Sequence, residues 1–91
     1  MKNEVEKLLE RHKELIHSER KRVVSHVQRQ SGTWLVNTLM LDGYSIPFRF
    51  KRKRRYRNLK GMSVNLTYYT NVENVAGIEV EVMTVVRIRT S

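Results

Sequence analysis

The sequence predicts an α+β fold: an N-terminal helix over residues 1–21 packed on a strongly curved antiparallel sheet or small five-stranded β-barrel over residues 22–91. Three observations predict it. Apolar residues recur every three or four positions at the N-terminus, they recur every second position from Val23 onward, and the last alternating run is too long for a flat strand. A chain of 91 residues that is 40% apolar suits a single domain with one modest core.

The helix rests on Val5, Leu8, Leu9, His12, Leu15 and Ile16, which share one helical face. Asn3 with Glu6 three positions later has the capping-box pattern. Glu4 and Glu6 suit the positive end of the helix dipole, and Arg20 to Arg22 its negative end. Two heptads are too few for a coiled coil, so the stripe is expected to pack on the sheet.

Beyond Arg22 the period is two. Val23 to Gln28 reads as a first strand, Ser31-Gly32 as a turn, and Trp34 to Leu41 as a second strand, apolar on both faces and therefore central. Asp42-Gly43 reads as a two-residue hairpin turn. In the third strand Tyr44, Ile46, Phe48 and Phe50 face the core, and Pro47, which cannot donate to a ladder, places it at an edge. Gly61 marks a turn, Val64, Leu66 and Tyr68 a fourth strand, Thr70 to Asn74 a polar loop, and Gly77 a bend or bulge. The last strand puts Ile78, Val80, Val82, Thr84, Val86 and Ile88 inward, with Met83 and Val85 exposed on its outer face. Twelve such residues would span about 40 Å if straight, so the strand must coil and serve two halves of a barrel. In strand count and turn spacing the pattern resembles OB-like and SH3-like barrels.

Chemistry is sparse. Without cysteine there is no disulfide, thiolate nucleophile or sulfur-ligated metal, and the absence fits a reducing, cytoplasmic location. No apolar run approaches the roughly 20 residues that cross a bilayer, so no membrane partner is expected. His12 and His17, at i and i+5 of the expected helix, diverge too far to share a metal, and the three histidines His12, His17 and His26 read as one at the edge of the core and two on the surface. Glu79 and Glu81 share a strand face but read as solvated residues rather than an acid–base pair. The expectation is a non-enzyme with no metal, no cofactor and no small-molecule substrate.

Charge carries the functional signal. The chain has a net charge of +9, and residues 49–60, RFKRKRRYRNLK, hold eight cations and no acid. The amphipathic strand is expected to stop at Phe50, because continuing it would drive Arg52 and Arg54 into the core without partners. Beyond it lies an exposed, self-repelling crowd of cations, which a polyanion would relieve. Arginine outnumbers lysine there by five to three, which favours bidentate phosphate contacts and stacking. The expected contact set is Arg49, Lys51, Arg52, Lys53, Arg54, Arg55, Arg57 and Lys60, with Tyr56 and Tyr69 as stacking residues, whereas Tyr44 and Tyr68 belong to the core. The expected function is binding of RNA or single-stranded DNA, chiefly through phosphates. The alternative is a non-catalytic interaction or assembly module, a homodimer formed through an edge strand or the helix, an idea that the exposed Met83 and Val85 support.

Overall fold

Residues 14–91 are described by the computed structural model, and among them every regular element is a strand. The five are β1 (Ile16–Ser31), β2 (Trp34–Leu41), β3 (Phe48–Arg52), β4 (Ser63–Val75) and β5 (Ile78–Thr90). The described part is therefore all-β, and the α+β reading is corrected. Residues 16–21, expected to end the helix, instead open β1; the expectation for residues 1–13 lies outside the described residues.

The reason is tertiary pairing. From Ile16 to Arg22 only Ile16 is apolar, so this stretch has no helical stripe of its own. It pairs antiparallel with β4 instead, Ile16 opposite Tyr68 and Arg22 opposite Ser63. Ladder hydrogen bonds across β4 override a weak local propensity. The register slips between Ser18 and Lys21, where Arg20 takes a φ of 55° and its N–H donates to Asn65 Oδ1 at 2.9 Å. The Ser18 hydroxyl meets the Tyr68 hydroxyl at 2.9 Å. Burial pushes the Tyr68 phenol above its ordinary pKa.

The strands close in the cyclic order β1-β2-β3-β5-β4. All neighbours are antiparallel except β3 and β5, which meet in parallel through Phe48↔Met83 and Arg49↔Thr84. Closure removes free edges, and β1 makes it possible by pairing with β4 through its first half and β2 through its second. Inside lie Val23, Leu39, Leu41, Phe48, Phe50, Val64, Leu66, Tyr68, Val85 and Ile88, plugged at one end by Leu59 from the β3–β4 connection. Phe48 and Tyr68 pack edge to face at 4.8 Å, and Tyr44 covers Phe48 at 5.3 Å.

Three further sequence expectations are revised. Thr70 to Asn74 is not a loop: β4 runs to Val75 and turns through Ala76 (φ 52°) and Gly77 (φ 84°), so β4 and β5 form one long hairpin. Within β5, Val86 has no partner between Thr67↔Arg87 and Tyr68↔Val85. This single extra residue reverses the face of the strand, so Val85 and Ile88 point inward and Met83 packs on the core instead of lying exposed. Finally, Asp42-Gly43 is not a tight hairpin. Only Gly43 has positive φ, and the Tyr44 N–H returns to the Leu41 carbonyl at 3.1 Å. A turn of that hand splays its arms, so Tyr44 to Pro47 become connection and β3 begins only at Phe48. Among the described residues, no helix is long and apolar enough to cross a membrane.

Candidate nucleic-acid interface

The basic segment begins on β3 and continues into the connection that crosses the end of the barrel. Its course is fixed by polar side chains of β1. The Tyr56 N–H donates to Gln28 Oε1 at 3.0 Å, and the Gln28 amide donates back to the Tyr56 carbonyl. Two residues nearer the start of β1, the Leu59 N–H donates to His26 Nδ1 at 2.9 Å. Since that nitrogen accepts, the ring proton is on Nε2, which donates to Asn37 Oδ1 at 2.8 Å. Asn37 is fully buried and passes the chain on to the Leu35 carbonyl. A buried polar relay thus anchors the loop whose other residues carry the charge.

Removing that anchor has a defined cost. His26→Ala leaves the Leu59 N–H and Asn37 Oδ1 without partners, at about 1–3 kcal/mol for each unsatisfied group. The expected result is lower stability and loss of amide-exchange protection at Leu59; wild-type protection at that amide would refute the relay.

The ten residues singled out from the sequence have distinct surroundings. Arg49 points outward from β3, where its Nη1 donates to Glu73 Oε1 at 2.7 Å, and its Nε is buried without a partner. Arg52 extends β3 two residues beyond the expected stop. Its guanidinium is not orphaned, because it stacks on Phe50 at 4.8 Å and Tyr56 at 5.6 Å and donates to the Lys51 carbonyl. Lys51, Lys53, Arg54, Arg55, Arg57 and Lys60 are exposed. Arg57 reaches the Thr90 hydroxyl at 3.1 Å, and Arg55 and Arg57 border a recess floored by His26, Gln28 and Tyr56. Lys60 stands apart, in a separate recess with Arg22 and Asp42. Tyr56 is half-buried against Phe50, edge to face at 5.4 Å. Tyr69 is half-buried on β4, in a row with Thr84 and Arg49 on the outer face.

The pairing register builds a second strip that charge alone does not reveal. Thr38↔Arg49 and Val36↔Lys51 face outward across β2 and β3, and Val27 and Arg29 of β1 continue the two rows. Between the β1–β2 turn and the β4–β5 hairpin this face forms a cleft of about 600 Å³, lined by Ser31, Val36, Arg49, Lys51, Asn71, Glu73 and Thr84. One step further along the strands, Leu35↔Arg52 sets Trp34 beside Lys53, whose Nζ lies 5.4 Å from the centre of the indole. Sequence reasoning passed over Trp34. Continuing the β2–β3 register beyond Phe50 would have placed it opposite Lys53, in phase with Val36 and Thr38.

Among the described residues, Arg49–Glu73 is the one ion pair that involves the basic segment. Its other seven cations meet no carboxylate among the described residues. Compared with protein-family models, with curated proteins and with solved structures, the chain matches none.

Proposed function

We propose that the domain binds nucleic acid, RNA or single-stranded DNA, chiefly through phosphate contacts from Lys51 to Arg57. One observation carries this reading: among the described residues, seven cations of residues 49–60 have no acidic partner, on a segment whose backbone is tied to β1. Crowded like charges cost stability unless a polyanion screens them, and a fixed backbone spares part of the ordering entropy on binding. Architecture adds a weaker argument. Five-stranded barrels of the OB type take oligonucleotides on the face of strands 2 and 3, between the loops joining strands 1–2 and 4–5. The corresponding face here carries Arg29, Arg49 and Lys51 and runs into the basic loop. Fold alone does not fix function, so the charge argument leads. A cytoplasmic location is part of the proposal, and a chain without cysteine is compatible with that reducing compartment.

Fluorescence anisotropy with labelled single-stranded RNA and DNA at low salt tests the proposal. Binding that weakens linearly in log–log form as salt rises is expected. No binding to either ligand at low salt would falsify it.

A second reading, self-association, has a specific observation behind it. Met83 and Val85 no longer support it, but the far end of the β4–β5 hairpin exposes Val72, Val75 and Ile78, the last at 67%. Light scattering on the eluting protein separates the readings: a dimer that Ile78→Ser converts to monomer favours association, whereas a monomer at all concentrations removes it.

A further inference from the structure

We infer that Trp34 and Lys53 form a base-plus-phosphate subsite that commits the interface to single-stranded nucleic acid. The inference rests on the nucleic-acid reading above and deepens it. Trp34 is the chain's one tryptophan, and it is 40% exposed at the start of β2, beside the turn that leads back to β1. Large aromatic rings are normally covered, and among the described residues the Lys53 ammonium is the one cation set over this ring. An exposed ammonium over an indole is a weak contact, weaker than a nucleobase stacked on the same ring. A base therefore displaces Lys53, and the displaced ammonium remains next to the phosphate that the base brings with it. One exchange turns an internal contact into two external ones.

The same face argues for an unpaired strand. A duplex keeps its base faces inside the stack and has none to offer Trp34, whereas a single strand has one at every nucleotide.

Emission from Trp34 reads this subsite in the unaltered protein. Oligouridylate, oligothymidylate, duplex RNA of equal length and inorganic polyphosphate are titrated at low salt. The expected result is quenching by both single strands, with the relative strength of the two separating RNA from DNA as the source of the base. Duplex and polyphosphate, which engage the cations alone, leave the emission unchanged. Trp34→Ala is expected to weaken oligouridylate binding by roughly tenfold or more while leaving polyphosphate binding intact. Binding of single strands without quenching, or equal quenching by polyphosphate, overturns the subsite and leaves the wider reading standing. Failure of every ligand to bind overturns both.

Discussion

Replacing Lys51, Lys53, Arg54 and Arg55 together with glutamine is expected to flatten the dependence of log K on log salt by about 3 units for a single-stranded ligand. Each phosphate contact to a single strand contributes a slope of about −0.7, so four contacts account for that change. Because wild-type and variant lines converge toward high salt, the loss in affinity grows as salt falls, to roughly three orders of magnitude near 50 mM. These four side chains are exposed, and none forms an ion pair among the described residues, so their removal is expected to leave the barrel intact. Arg52 is deliberately excluded: its guanidinium stacks on Phe50 and Tyr56, and its loss would mix binding with stability. Arg49 supplies an internal control, since Glu73 already meets its charge at 2.7 Å. Glu73→Gln frees that charge and is expected to steepen the slope by about 0.7, and adding Arg49→Gln to the same variant restores the wild-type value. A quadruple variant with unchanged slope would show that the exposed cations are solvated surface and nothing more.

The sequence was most legible where local chemistry dictates local structure. Trp34 to Leu41, apolar on both faces, forms β2 with those bounds. Gly32, Gly43, Gly61 and Gly77 all take positive φ, as their reading as turn residues or bends requires. The crowd of cations after Phe50 was visible because no acid interrupts it. What stayed hidden depends on partners distant in sequence. Ile16 to Arg22 becomes a strand only because β4 offers a ladder, and nothing in that stretch announces it. The face of β5 was unreadable because Val82 and Val85 are both buried, on opposite sides, with Val86 shifting the phase downstream of them. Arg52 looked impossible in the strand because burial was weighed without the two aromatic rings that receive it. Glu73 appeared to lie in a loop, so its pairing with Arg49 could not be anticipated.

Leu59→Ala is expected to destabilise the domain by about 3 kcal/mol, with a fall in melting temperature of roughly 15 °C. Leu59 is the sole member of the buried cluster that comes from the basic connection, and it has no exposed surface. It follows a segment in which almost every residue is charged, so the loop has no other fully buried anchor between Arg52 and Gly61. Truncation leaves a cavity at the barrel end where Val23 and Val64 are equally inaccessible. It also removes the packing that seats the Leu59 N–H on His26, so the cost is not only hydrophobic. Since a domain of this size has only about 5–15 kcal/mol of stability to begin with, the loss is large. Leu59→Met nearly conserves volume and is expected to cost less than about 1.5 kcal/mol. Denaturant unfolding of the two variants decides the matter. A small and equal effect would mean that the connection merely lies across the barrel, and its cations would then lose the fixed placement on which binding depends.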